Sequence, residues 1–133
     1  MPDMIYLSLL DVIALHNTVM ERTGFLPAPL RDEGLLESAI TRPQMAAFYE
    51  QADLIRQATL MAVGISQAQA FLDGNKRTAF AALEVFLGVN GKTIRGDARG
   101  VIDQLEAVAN HRGKLTKTTA HFEKWLRSQV NDR

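Results

Sequence analysis

The sequence contains no cysteine. Without thiols the chain can form no disulfide framework, thiolate zinc site, iron–sulfur cluster or cysteine nucleophile. It also has no excess of either charge, because 15 Lys and Arg balance 15 Asp and Glu. A net charge of zero lacks the electrostatic footprint of proteins that bind nucleic acid or anionic membranes. We therefore expect no direct contact with nucleic acid or membrane.

Long hydrophobic runs and targeting signals are missing as well. Polar residues interrupt the apolar stretches well before the roughly 18 residues that a membrane-spanning helix needs. Residues 1–4 include an acidic side chain and no Lys or Arg, unlike the first part of a signal peptide. We expect a soluble protein of the cytoplasm.

The composition is that of an ordinary globular domain, with 47% hydrophobic and 23% charged residues. A chain of 133 residues suits one domain with one core, so we expect a single domain over 1–133. Apolar residues recur at three- and four-residue spacing in six segments, which predicts an all-α fold of about six helices. The predicted helices begin at or near Ser8, Asp32, Asp53, Asn75, Val101 and Thr118 or Thr119.

The ends of these helices follow from local signals. Pro43 is expected to stop a short second helix. The third is expected to run to about Ala70, although Gly64 inside it requires a packing reason. The fourth is expected to end at Val89, before a short extended piece at residues 92–94, and the sixth is expected to include Val130.

Residues 71–78, Phe-Leu-Asp-Gly-Asn-Lys-Arg-Thr, carry the chemistry. They join two strongly apolar helical segments, which predicts a tight helix–loop–helix turn. Gly74 permits a positive φ there, and Asn75 is a candidate N-cap for the next helix. Lys76 and Arg77 then fall in the first helical turn, where the helix dipole disfavours cations. An anion bound between them explains this arrangement, so the turn is a candidate phosphate cradle.

The carboxylate of Asp73 immediately precedes this cradle. Its oxygens suit a Mg²⁺ ion that bridges bound phosphates. The alternative is a capped turn with two solvated basic residues, and the spacing alone favours this alternative. Phe71 alone indicates a core residue.

The same segment resembles the signature of the Fic/Doc superfamily, and in particular its Doc (death-on-curing) branch. That signature reads His-x-Phe-x-Asp/Asn-Gly/Ala-Asn-Lys-Arg. The resemblance extends over residues 15–94 and includes the flanking segments 31–44, 64–67 and 86–91. Six positions match it in order and spacing: Phe71, Asp73, Gly74, Asn75, Lys76 and Arg77.

The resemblance implies a helical bundle with a helix–loop–helix phosphate-binding motif and a toxin of a toxin–antitoxin pair. Fic relatives transfer AMP from ATP to a protein hydroxyl. Doc-type relatives transfer a phosphoryl group from ATP to a translation elongation factor and stop protein synthesis. By the same resemblance Asp73 holds Mg²⁺, Phe71 anchors the loop, and Gly74 and Asn75 cradle phosphates with Lys76 and Arg77.

The chain departs from the signature at its first position, where Gln69 replaces the histidine that takes the proton from the target hydroxyl. A glutamine amide cannot accept a proton near neutral pH, so general-base help, typically worth about 10²–10⁴-fold in rate, is lost. No other histidine is an obvious substitute. His16 lies mid-helix, His111 in a loop, and His121 on a different helix face from Glu123.

Three origins of Gln69 stay open: a laboratory substitution, a natural loss of activity, or slow transfer by positioning alone. Two functions follow. The first is an ATP- and Mg²⁺-dependent transferase scaffold of the Doc type, impaired by Gln69. The second is a pseudoenzyme that binds a nucleotide or an antitoxin and transfers nothing. A purely structural helical domain is a third possibility, which six matched positions disfavour.

Self-regulating Fic proteins carry an inhibitory helix with the pattern Ser/Thr-x-x-x-Glu-Gly/Asn. The Glu33-Gly34 pair has Pro29 at the Ser/Thr position, so the pattern is absent. We therefore expect inhibition by a separate antitoxin chain, whose disordered segment folds on binding to an apolar groove.

Overall fold

The computed structural model describes residues 3–27, 29–95, 97–110 and 114–133. Its elements are six helices and one short pair of antiparallel strands. They are, in chain order, α1 (Leu9–Arg22), α2 (Glu33–Glu50), α3 (Leu54–Ala68), α4 (Asn75–Val89), β1 (Lys92–Ile94), α5 (Ala98–Ala109), α6 (Leu115–Gln129) and β2 (Val130–Asp132). The all-α prediction is confirmed.

Helix α3 is the central element of the bundle. Every residue from position 57 to position 66 is buried, as expected for a helix that is surrounded by others. Gly64 has the packing reason that its sequence position requires, because a Cβ there would lie 3.2 Å from the Ala39 Cβ of α2. The close approach of α2 and α3 therefore depends on this glycine.

Four helices begin with a side-chain cap. Ser8 and Asp11 form a complete capping box at the start of α1. Asp32, Asp53 and Asp97 cap α2, α3 and α5 with their carboxylates. The predicted starts at Ser8, Asp32 and Asp53 are confirmed.

The prediction that Pro43 stops the second helix is wrong, because α2 continues through it to Glu50. A proline removes one helical hydrogen bond and costs about 3 kcal/mol relative to alanine in a helix interior. Burial offsets this cost, since Pro43 and Ala46 are both buried and α2 packs along α3. The helix ends instead at Gln51, which adopts a left-handed conformation with φ 53°.

Two further boundaries differ from expectation. Helix α6 begins at Leu115 and not at Thr118 or Thr119. The Thr118 hydroxyl donates to the Leu115 carbonyl inside the first turn and does not cap the helix. Val130, expected in this helix, instead pairs with Ile94 in the antiparallel β1–β2 ladder. The predicted extended piece at residues 92–94 is confirmed as β1.

Within the part of the chain that the structure describes, no helix combines the length and apolarity needed to cross a bilayer.

Candidate functional site

The motif loop, residues 69–74, joins the end of α3 to the start of α4. Its first residue, Gln69, adopts a left-handed conformation with φ 54° and caps α3. Gly74, at φ 81°, is the N-cap position of α4. The chain therefore reverses direction between two left-handed residues, and the glycine predicted for the turn is confirmed in its role.

Phe71 and Asn75 hold the loop together from inside. Phe71 is 2% exposed and belongs to the main hydrophobic core, as predicted. The prediction that Asn75 caps the helix is wrong. It is the first helical residue, and its side chain bonds back to both backbone groups of Phe71. An amide carries one acceptor and two donors, so Asn can satisfy an N–H and a carbonyl of the same residue.

The preceding segment supports the loop from outside. Leu30 and Phe71 form an antiparallel bridge. The Arg31 guanidinium donates to the Gln69 carbonyl at 2.6 Å, and the Arg31 backbone N–H donates to the Ala70 carbonyl at 2.6 Å. These contacts fix the backbone of residue 69 and leave its side chain exposed.

A cavity of about 350 Å³ opens above the loop. We call it the motif cavity. It brings together all of the predicted site residues except the buried anchor Phe71. Its lining is Gln69, Leu72, Asp73, Gly74, Asn75, Lys76, Arg77, Ile102 and Glu106.

The motif cavity contains unpaired positive charge. Among the described residues, neither Lys76 nor Arg77 forms an ion pair. Helix α4 has no side-chain cap, and its first three backbone N–H groups have no acceptor in the described structure. Free N–H groups at a helix N-terminus carry the positive end of the helix dipole. The cavity wall therefore suits an anion.

The carboxylate of Asp73 is exposed at the same wall, and its Oδ1 accepts a hydrogen bond from the Gly74 N–H at 2.7 Å. The described residues contain no group of three or more His, Asp or Glu side chains that could hold a metal ion by themselves. Mg²⁺ is usually held by one or two carboxylates together with phosphate oxygens and water, so Asp73 fits a metal that arrives with phosphates.

Two residues of the cavity and one residue beneath it were not predicted from the sequence. Ile102 and Glu106 reach the cavity from α5. Their four-residue spacing places them on one helix face but does not reveal what that face contacts. His16 was expected to be packed or exposed. It is fully buried, and its Nε2 lies 2.8 Å from the Asp73 carbonyl oxygen, 57 residues away along the chain. Only the apolar residues around it in α1 indicate its burial.

Of the other two histidines, the structure describes His121, which does not line the motif cavity. His121 is exposed on α6, where Glu123 pairs with Arg56 and Arg127. His111, expected in a loop, lies outside the described residues.

Known proteins resemble this chain over the same region. Residues 6–87 match the sequence profile of the Fic/DOC family. Toxin Doc of Mycolicibacterium smegmatis is 36% identical over 83 residues, which cover 61% of this chain and 62% of that protein. Protein kinase doc of Escherichia phage P1 is 37% identical over 82 residues, which cover 61% of this chain and 64% of that protein.

The chain thus spans less than two thirds of the length of these curated relatives. The family profile, in contrast, covers more than half of the chain. It runs from Tyr6 through the motif loop and along nearly all of α4, and so includes every residue that lines the cavity except Ile102 and Glu106 of α5. This protein therefore belongs to the Fic/DOC family.

Proposed function

We propose that the chain binds ATP with Mg²⁺ in the motif cavity and is a protein-modifying transferase scaffold of the Doc toxin type. One observation carries the proposal. The cavity gathers Asp73, Lys76 and Arg77 around an uncapped helix N-terminus, with no ion pair to either cation in the described structure. This combination supplies the groups that a polyphosphate needs.

Charge complementarity supports the phosphate assignment. Lys76 is partly exposed and Arg77 is exposed, so both side chains can reach a bound anion. Guanidinium and ammonium groups form charge-assisted hydrogen bonds to phosphate oxygens, which are about twice as strong as neutral ones. The backbone N–H groups of α4 add donors that need no rearrangement. The triphosphate of ATP suits this wall better than a neutral ligand does.

Asp73 is the proposed protein ligand of Mg²⁺, and the metal neutralises phosphate charge when it is bound. The Oδ1 of Asp73 is occupied by the Gly74 N–H, which leaves Oδ2 available. Glu106 is a second carboxylate at the cavity wall. Asp73 immediately precedes α4, so its carboxylate would lie beside phosphates bound at the N-terminus of this helix.

The proposed reaction is transfer of a phosphoryl group, or of AMP, to a protein hydroxyl. The relative named protein kinase doc favours phosphoryl transfer, and a translation elongation factor is the proposed target. Gln69 lines the cavity and occupies the motif position where the family resemblance expects the proton acceptor. Because an amide cannot take the proton, transfer by this chain should be slow while binding persists.

A pseudoenzyme is the second candidate function. Gln69 favours it, because the side chain at the base position lines the cavity and cannot act as a base. In this case the cavity binds the nucleotide and no transfer follows, and the chain acts by binding a partner.

The proposed partner in both cases is an antitoxin chain with a disordered segment that folds on binding. Exposed apolar side chains at the end of α2 support an apolar binding surface. Met45, Phe48 and Tyr49 are 53%, 75% and 69% exposed. A peptide helix with apolar residues at three- and four-residue spacing would cover such a surface.

Calorimetric titration with ATP and Mg²⁺ tests the binding proposal. Lys76→Ala and Arg77→Ala should each weaken affinity about tenfold, the size expected for one hydrogen bond to a charged group. Lys117→Ala on α6 removes the same charge at an exposed position outside the cavity and should change nothing. Equal affinity in all three variants would rule out binding in the motif cavity.

A further inference from the structure

A buried histidine of α1 lies directly beneath the motif loop. His16 is 0% exposed, and its ring lies parallel to that of Phe71, with ring centroids 3.6 Å apart and an interplanar angle of 6°. Its Nε2 is 2.8 Å from the Asp73 carbonyl oxygen. Because a carbonyl oxygen only accepts, Nε2 carries the hydrogen of this bond.

This hydrogen bond fixes the orientation of one peptide group. In a trans peptide the carbonyl and the N–H of the next residue point in opposite directions. The Asp73 carbonyl points inward to His16, so the Gly74 N–H points outward. There it donates to the Asp73 carboxylate at the wall of the motif cavity.

The Asp73–Gly74 peptide needs such an anchor. Gly74 is at φ 81°, and glycine adopts positive and negative φ about equally well. Rotation of this peptide group would turn the N–H away from the cavity and the carbonyl toward it. A carbonyl oxygen at that wall would repel the phosphates that the cavity is proposed to bind.

We propose that His16 is a positioning residue, which holds the Asp73–Gly74 peptide so that the Gly74 N–H and the Asp73 carboxylate face the motif cavity. The effect on ligand binding rests on the proposed function of that cavity. The effect on peptide orientation does not, because it follows from the hydrogen bond alone.

A simple packing role explains His16 less well. Its Nδ1 is buried without a hydrogen-bond partner among the described residues. A buried polar atom without a partner is unfavourable, and an aliphatic side chain of similar volume would avoid it. An aliphatic residue could fill this space but could not donate a hydrogen bond to Asp73.

Two substitutions separate the donor from the ring. His16→Leu and His16→Gln both remove the stacked ring, but only glutamine retains a side-chain N–H donor. The difference between them therefore reports the hydrogen bond. His121→Leu, at an exposed position of α6, is the matched control.

Binding of ATP with Mg²⁺ should be about tenfold weaker in His16→Leu than in His16→Gln, as for one hydrogen bond whose buried partner is left unmatched. His121→Leu should bind like the unchanged chain. The Gly74 amide should give one sharp NMR signal in the unchanged chain and in His16→Gln. It should broaden or split in His16→Leu as the peptide samples two orientations.

A side-chain ¹⁵N–¹H NMR spectrum of the unchanged chain provides a test without any ligand. It should show His16 with its hydrogen on Nε2. A hydrogen on Nδ1 alone would overturn the proposal, and so would equal behaviour of the Leu and Gln variants. If His16→Leu does not fold, a broadened Gly74 signal in folded His16→Gln overturns the proposal, and a sharp one supports it.

These outcomes separate the two proposals. If the unchanged chain does not bind ATP with Mg²⁺, the proposed function fails. The His16 tautomer and the Gly74 amide signal then still decide whether His16 positions the peptide.

Discussion

The side chain of Asn75 closes a ring with the backbone of Phe71. Its Oδ1 accepts from the Phe71 N–H at 3.1 Å, and its Nδ2 donates to the Phe71 carbonyl at 2.9 Å. Both bonds are buried, so water cannot replace them without opening the loop. Two hydrogen bonds thus join Phe71, which anchors the loop in the core, to Asn75, the first residue of α4.

Replacing Asn75 should destabilise the fold as well as the loop. Asn75→Ala leaves a buried N–H and a buried carbonyl of Phe71 without partners, which should lower the free energy of unfolding by about 1–3 kcal/mol. Asn75→Asp retains an acceptor for the N–H but places a carboxylate oxygen against the carbonyl oxygen, so it should not restore stability. Urea unfolding measures both.

Asn17→Ala, at an exposed position in the middle of α1, is the control and should change stability by less than about 0.5 kcal/mol. An Asn75→Ala variant as stable as this control would show that the two bonds contribute nothing.

Helical periodicity predicted six helices, and the sites of three caps, because both signals are local. Packing between elements decided the features that the sequence did not predict. Pro43 is tolerated inside α2 because its burial beside α3 offsets a lost hydrogen bond. Val130 leaves the helical pattern because a strand at residues 92–94 is available to pair with it.

In the candidate site, too, local features could be predicted from the sequence and contacts between distant elements could not. The motif residues from Asp73 to Arg77 are contiguous, so the sequence alone placed them together. His16, Ile102 and Glu106 come from α1 and α5, and only the tertiary fold brings them to the loop. Asn75 carried a misleading local signal, since asparagine is a common N-cap and here bonds backward to Phe71.

Gly74 should tolerate no larger side chain. At φ 81° any Cβ is strained, and a Cβ there would lie 2.7 Å from the Met20 sulfur. Gly91 has φ 85°, but no atom of the described residues lies within 4 Å of its Cβ position, which makes it a matched control. Gly91→Ala should cost the conformational penalty of about 1–2 kcal/mol. Gly74→Ala should cost more than Gly91→Ala, because the Met20 side chain must also move away from the new methyl group.

A double-mutant cycle identifies the contact. Met20→Ala removes the sulfur that the new methyl group would meet, so the combined loss should be smaller than the sum of the single losses. Additive losses in thermal or urea unfolding would assign the whole effect of Gly74→Ala to backbone strain.

The pair of Asp53 and Arg127 should contribute to stability only above acidic pH. The hydrogen bond from Arg127 holds the pKa of the Asp53 carboxyl below its ordinary value of 3.8. A lowered pKa means that the unfolded chain binds the proton more readily. The stabilisation is therefore present above the ordinary value and is lost as the pH falls through the folded-state value.

Unfolding curves at pH 7 and pH 3 measure this dependence. Asp53→Asn should lower stability at pH 7 and reduce the difference between the two pH values. Both side chains are about half exposed, so the effect should be small and should shrink in high salt. Asp103→Asn, an exposed position on α5, serves as the control. An unchanged pH difference in Asp53→Asn contradicts this role of the pair.

Gln69→His should restore transfer without rebuilding the site. The backbone of residue 69 is held by Arg31, and histidine is among the residues that tolerate its left-handed conformation. Transfer of labelled phosphate from γ-labelled ATP to a protein target should rise about 10²–10⁴-fold, the usual contribution of a positioned base. If AMP is the transferred group, label in the α position reports it instead. Affinity for ATP with Mg²⁺ should change little, because residue 69 carries no charge in the cradle.

The dependence of the transfer rate on pH shows whether the introduced histidine acts as a base or only improves the position of the substrate. In the Gln69→His variant the rate should rise with pH through about 6.5, the ordinary pKa of histidine, because only the neutral imidazole accepts a proton. Gln44→His, at an exposed position of α2, adds a histidine elsewhere and should produce neither the gain in rate nor the rise with pH.

In cells the Gln69→His variant should arrest growth, and a cognate antitoxin should relieve the arrest. If the unchanged chain already transfers at the rate of the histidine variant, no base is needed at this position. If the histidine variant binds ATP normally and stays inert, the pseudoenzyme is the correct function, because the missing base would not be the defect.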